Sequence, residues 1–283
     1  MDLSAAVTIQ RPGAAPLDIN SIRDTDAVGA SPLSGYTIDQ IDMSSVSISA
    51  FTEDTPLVDG IDSYDPYLGA RQINISLSVY GSTYADFWDK MGALTFALQA
   101  QPRAADVGTY PALEADGKRK LSFSQPYTGG TYSLYMMVRP LMLPRFVLDG
   151  GSVAGDNLRG YSQKVTIALL AEDPYKYFET ASTVSRTGSG SLSVVNTGTT
   201  IAWPTVTWNV TTSSTVSVEL GSEKVEHTAV ASTVTDRFKT ATSTSSSTLT
   251  SYEFFSIPPG TSSVTVVGES GQTVSITIRE AVL

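Results

Sequence analysis

The chain has 283 residues, 41% of them apolar, enough to fill a core in each of two domains of ordinary size. It holds no cysteine and a single histidine, His227, which excludes a disulfide framework and a zinc-thiolate site and removes most metal and acid-base chemistry. With 28 acidic against 18 basic residues the net charge is -10, a balance that repels polyanions, so nucleic acid is not an expected ligand.

The opening "MDLSAAVTIQRPG" has no basic region followed by an apolar core, and no run of about 18 apolar residues occurs anywhere. These features read as a soluble protein made in the cytosol. Residues 71–80, "RQINISLSVY", alternate strictly, with Ile73, Ile75, Leu77 and Val79 on one face and Asn74, Ser76 and Ser78 on the other, the pattern of a half-buried strand. After Gly81 the period changes. Tyr84, Phe87, Trp88, Met91, Leu94 and Leu98 recur at three- and four-residue spacing, with Thr83 placed to cap and Asp86 three positions later. This predicts one amphipathic helix, closed by Pro102.

Strand patterns resume at "KLSFS", after the turn signal Asp116-Gly117, then at "YSLYMMVRP" and "SQKVTIALL", with the Gly-rich loop "DGGSVAGDNLRGY" before the last. Residues 1–180 thus read as β-sheet with one packed helix. The small, polar stretch "STVSRTGSGSLSV" reads as a linker or domain boundary. Beyond it only strand signals remain, in "PTVTWNV", "TVSVEL", "SSVTVV" and "TVSITIRE", which predict an antiparallel β-sandwich over 181–283. The run "KTATSTSSSTLTS" at 239–251 reads as a polar exposed strand rather than a disordered loop.

The search for chemistry yields little. His227 lies in "KVEHTAV", an alternating pattern with no nucleophile elbow beside it, and reads as an exposed strand histidine. Asp59, Asp62 and Asp65 lack the ligand spacing of a calcium loop and read as a solvated turn. A glycosidase pair can always be chosen from 28 acidic residues, so choosing one carries no weight. No catalytic residue, cofactor or metal site is therefore expected. Trp208 falls on the apolar face of its strand, as a core residue does, whereas Trp203 is a candidate for stacking on a sugar ring. The segment "ALLAEDPYKYFET" ends a strand with Asp173 and Pro174 and then presents Tyr175, Tyr177 and Phe178, rings that pack on the linker or against a neighbouring subunit.

Taken in order, "RQINISLSVYG", "DFWDKMGALTFAL", "VTIALLAEDPYKYF" and the closing "IPPGTSSVTVVGESGQTVSITIREAVL" resemble the distal tail proteins of long-tailed, siphovirus-type bacteriophages. The resemblance implies a mainly β protein with an N-terminal ring, or belt, domain at 1–180 and a C-terminal galectin-like β-sandwich at 181–283. It implies a homohexameric ring hub at the virion tail tip, joined to the tail tube protein above and to tail-tip hub or receptor-binding proteins below. DNA would pass through the lumen without specific binding, no membrane would be involved, and the protein would not be an enzyme. On this reading Asp173, Pro174, Tyr175, Tyr177 and Phe178 mark the domain junction or an inter-subunit contact. Part of the negative charge would face the lumen. The alternative is a carbohydrate-binding or adhesin sandwich using Trp203.

Overall fold

The computed structural model describes residues 4–22, 33–44, 46, 48–49, 52–54, 61–63, 67–99, 117–127, 130–146, 161–210, 214–230, 232–245, 248–269 and 271–283. The expected loop at 149–160, the aspartates Asp59 and Asp65, Asp116 and Pro102 lie outside them. The chain divides into two compact units, Met1–Pro174 and Tyr175–Leu283, and mainly β structure builds both.

The first unit is organised by an antiparallel sheet whose main path runs through seven strands, with Arg145–Phe146 paired to Tyr161–Ala171 off that path. Along the path the spatial order is Leu17–Asp18, Thr8–Gln10, Arg119–Tyr127, Gly130–Pro140, Tyr161–Ala171, Arg71–Gly81 and Gly35–Met43. The long strand Arg71–Gly81 pairs along its whole length with Tyr161–Ala171, from Arg71 opposite Ala171 to Gly81 opposite Tyr161. Its alternating side chains Ile73, Ile75, Leu77 and Val79 are fully buried, as their period requires.

Helix Tyr84–Leu98 follows this strand after a two-residue turn. The Thr83 hydroxyl accepts from the Asp86 amide at 3.1 Å, and the Asp86 carboxylate accepts in return from the Ser82 amide at 2.8 Å, so the helix start is capped from both sides. Gly81 is required by proximity: a Cβ there would run into the backbone of Phe87. The helix ends at Leu98, with Gln99 as its C-cap.

The inward face differs from the expectation. Phe87, Met91, Leu94, Ala97 and Leu98 are buried, but Tyr84 and Trp88 are 56% and 44% exposed. Spacing of three and four places both residues on the same half of the helix as Phe87 and Met91, yet the buried arc is narrower than the apolar one. Tyr84 instead meets Tyr161 edge-on at 5.7 Å and Trp88 at 6.1 Å, above the sheet end.

The second unit is a sandwich of two five-stranded antiparallel sheets. One runs Ser182–Thr187, Thr273–Ile278, Thr205–Asn209, Val234–Arg237 and Thr242–Ser243; the other runs Gly190–Asn196, Gly260–Val267, Ser214–Leu220, Glu223–Val230 and Leu249–Tyr252. Val206, Trp208 and Ile276 from the first meet Val218, Val225 and Val264 from the second in one buried core. Phe238 stands edge-on to Phe254 and Phe255 with centroids 5.1 and 4.8 Å apart.

The stretch at 182–194 expected as a linker is instead paired structure. Ser182–Thr187 zips onto Thr273–Ile278 and Gly190–Asn196 onto Gly260–Val267, so each half belongs to a different sheet. The composition misleads because both are outermost strands, where one face needs only Val184 on the first and Leu192 and Val194 on the second to reach the core. The Ser/Thr run at 239–251 is also broken up: its described residues include a 3-10 turn at Phe238–Thr240 and the short strands Thr242–Ser243 and Leu249–Tyr252.

Candidate functional site

The segment that ends the first unit and opens the second concentrates the residues expected to matter. Strand Tyr161–Ala171 stops one residue before Glu172. The Glu172 carboxylate takes Lys118 Nζ at 3.2 Å on one oxygen and Arg139 Nε at 3.1 Å on the other. These partners, Lys118 first, hold its carboxyl below the usual range. Asp173 is half-buried and Pro174 buried.

In the second unit the short strand Lys176–Phe178 pairs with Ala281–Val282, Lys176 opposite Val282 and Tyr177 opposite Ala281. Phe178 is buried, while Tyr175 and Tyr177 are half-buried. Lys239 Nζ reaches the Tyr177 hydroxyl at 3.4 Å and lies 5.8 Å from its ring centroid. Arg279 donates to the carbonyls of Phe178 and Glu179 at 3.1 and 3.0 Å. The last strand is gripped from its other side too, because the Thr199 amide donates to the Ala281 carbonyl at 3.0 Å. Gly198 packs so closely on Ala281 that no side chain fits there. The final strand, Arg279 and Lys239 therefore all help to hold the aromatic segment.

Trp203 is 38% exposed. From 201 to 210 exposure alternates without a break, which sets Ile201, Trp203, Thr205, Thr207 and Asn209 along one outward line and Trp208, 2% exposed, in the core. Neighbouring strands continue the outward face with hydroxyls, pairing Thr183 with Thr277 at 2.9 Å, Ser185 with Ser275 at 2.8 Å and Thr187 with Thr273 at 3.0 Å.

His227 is not an exposed strand residue. It is fully buried, in one sheet, facing Asp236 of the other, also fully buried. Its Nε2 lies 2.9 Å from Asp236 Oδ2, which also accepts the Trp208 indole N–H at 2.9 Å. Its Nδ1 lies 2.9 Å from Thr248 Oγ1. Thr248, His227 and Asp236 thus stand in the order of a nucleophile, a base and an orienting carboxylate. The chemistry does not follow, because the Thr248 hydroxyl donates to the Ser245 carbonyl at 3.0 Å and the imidazole is sealed from any substrate. Sequence pattern misses this set for a plain reason: an alternating strand gives no sign of which face turns inward until the neighbouring sheet is placed. Asp236 and Trp208 sit in different strands, with only their inward parity as a clue.

Among the described residues no group of three or more histidine, aspartate or glutamate side chains is arranged to hold a metal. Among those residues no helix is long and apolar enough to cross a membrane.

No family model matches the chain, and no curated protein matches it. Solved structures do. The crystal structure of the Dit protein of phage SPP1, described as a paradigm of the hub adsorption apparatus in phages infecting Gram-positive hosts, matches with a TM-score of 0.62 and 16% identity, over 99% of this chain and 100% of that one. Structures of the phage P2 baseplate in its activated conformation, with Ca and with Sr, match at TM-scores of 0.49 and 0.46 with 8% and 9% identity. These cover 97% and 96% of this chain and 97% of each of those chains. The likeness to the SPP1 protein shows a shared fold, and that fold is the mainly β class the sequence predicts.

Proposed function

We propose that this chain is a structural hub protein of a phage tail tip, which assembles with copies of itself into a hexameric ring between the tail tube and the adsorption apparatus. The observation that supports this most is the end-to-end agreement of fold with the SPP1 Dit protein, in which both units find a counterpart in one continuous match. A closed ring suits such a role, because head-to-tail contacts that close leave no surface free to grow a filament. The exposed Tyr84 and Trp88 on the helix, and Leu141, Met142 and Leu143 in the bend after strand Gly130–Pro140, are apolar surface of the kind that such contacts cover. The reading assigns no catalysis to the chain.

Charge agrees with a lumen that nucleic acid passes without sticking. Residues 1–174 hold 20 acidic and 12 basic side chains, net -8, whereas 175–283 hold 8 and 6, net -2. The excess that would repel DNA thus belongs to the unit proposed to form the ring. Native mass spectrometry and negative-stain imaging of the purified full chain test the reading. A ring of fixed copy number, six, is the expected result; a protein that stays monomeric at high concentration overturns it.

The outward line through Trp203 favours a second reading, in which the sandwich binds a neutral glycan by stacking on that ring with hydroxyls alongside. Retardation of the protein in gels containing neutral polysaccharide, abolished by Trp203→Ala, is its signature.

A further inference from the structure

The charge balance around Asp236 decides where the protons of the His227 network sit. The Asp236 carboxylate is fully buried, and its two side-chain partners are both nitrogen donors: the Trp208 indole at 2.9 Å and His227 Nε2 at 2.9 Å from Oδ2 and 3.1 Å from Oδ1. Of the two, only the imidazole can carry a positive charge. An ionised carboxylate left without a counter-charge is among the costliest groups to bury.

The other charged groups on the elements around the ring face away from it. On strand Glu223–Val230, Val225 and His227 are buried, while Lys224 and Glu226 lie on the opposite face, where Lys224 meets Glu226 and also Glu219 of the neighbouring strand. Glu223, Arg237, Lys239 and Glu253 are exposed. Lys176 and Glu280, the unit's remaining buried charged residues among those described, belong to the strand Lys176–Phe178 and to the position before Ala281–Val282.

On the far side of the ring, Nδ1 lies 2.9 Å from Thr248 Oγ1, and that oxygen lies 3.0 Å from the Ser245 carbonyl. Thr248 has one hydroxyl hydrogen for two acceptors. With Nδ1 bare, the hydrogen is drawn to the ring. With Nδ1 protonated, the ring donates to Oγ1 and the hydroxyl donates to the Ser245 carbonyl.

We propose that the buried His227–Asp236 pair holds one proton beyond a neutral imidazole and a carboxylate, and that this proton is a latch. It makes the pair net neutral, places a hydrogen on Nδ1 and turns the Thr248 hydroxyl onto Ser245, fastening both residues to the sandwich. The proton belongs to the pair, whichever partner carries it. Because the folded pair keeps a proton that the unfolded chain gives up, stability of the second unit falls as pH rises through its release. The inference concerns this network alone and is independent of the hub reading.

His227 is the chain's single histidine, so the nitrogen-labelled full chain gives one pair of imidazole signals by NMR. At about pH 7.5, above the ordinary imidazole value of about 6.5, Nδ1 should be protonated. A bare Nδ1 at that pH overturns the proposal. Raising the pH to about 9.5 should expose a bare Nδ1 and lower the amide protection of Thr248 and Leu249, corrected for intrinsic exchange, by at least about tenfold. Thr248→Val has no hydroxyl to redirect; it should show the lower protection already near neutrality and little further fall, while Thr248→Ser keeps the wild-type response. An undiminished alkaline response in Thr248→Val, or unchanged protection in the wild type once Nδ1 is bare, overturns the latch. The wild-type ring spectrum decides the placement of the proton even where the valine variant does not fold.

Discussion

His227 Nε2 and Asp236 Oδ2 meet 2.9 Å apart across the two sheets of the sandwich, each side chain fully buried and each held by a further partner, Thr248 and Trp208. The pair is a polar rivet through an apolar core. Asp236→Ala removes the acceptor for both the imidazole and the indole N–H and leaves two buried donors unmet. A loss of about 3–5 kcal/mol in the stability of the second unit is expected, measured by urea unfolding. A loss under about 1 kcal/mol would show that the network contributes little.

Phe87 and Trp88 are adjacent on the helix but differ in burial, 0% against 44% exposed. Phe87→Ala should cost about 3–5 kcal/mol, while Trp88→Ala should change the stability of the isolated chain by less than about 0.5 kcal/mol. If Trp88 is covered in the ring, its truncation should weaken assembly without that loss, a combination visible by sedimentation at several concentrations. Equal destabilisation by both changes would contradict the observed helix orientation.

Gly198 faces the Ala281 carbonyl at a distance that leaves no room for a methyl group. Gly198→Ala should displace the strand Ala281–Val282 and accelerate amide exchange at Thr199 and Phe178, whose N–H groups bond to Ala281 and Glu280. Unchanged protection at both amides would show that the backbone yields without cost.

Acid should loosen the first unit through two carboxylates. Asp86 is held below the usual carboxylate range by the Ser34 hydroxyl and then by Ser82, and Glu172 by Lys118 and then Arg139. For groups depressed in the folded state, the stabilisation is fully present above the unfolded value, about pH 4, and is lost as pH falls through the lower folded value. Glu172 is 45% exposed, so screening keeps its share small. The midpoint of the wild type should therefore fall between pH 5 and pH 3 more steeply than that of the Asp86→Asn, Glu172→Gln double variant. Parallel curves would remove these groups from the acid response.

Much of the fold is legible in the chain because its strongest periodicities are local. Ile73 to Val79 announce a strand, Thr83 and Asp86 announce the helix start, and the alternation through Trp208 marks one core face. What pattern could not supply is pairing. Ser182 to Val194 look like a linker until two strands take them as edges, and His227 looks solvated until Asp236 arrives from the opposite sheet. Tyr84 and Trp88 fit the apolar arc, yet the sheet beneath is filled by Phe87 and Met91.

The pairing of Lys176–Phe178 with Ala281–Val282 also has a mechanical side. Tension arriving along the chain at Tyr175 would pull on a strand clamped at its flank by the final segment of the same unit. The resulting shear would have to strip that short ladder and the Arg279 grip on Phe178 and Glu179 before it reached the valine core. The second unit is thus fastened like a tab under a clasp, and a sudden jerk would spend itself at the fastening first.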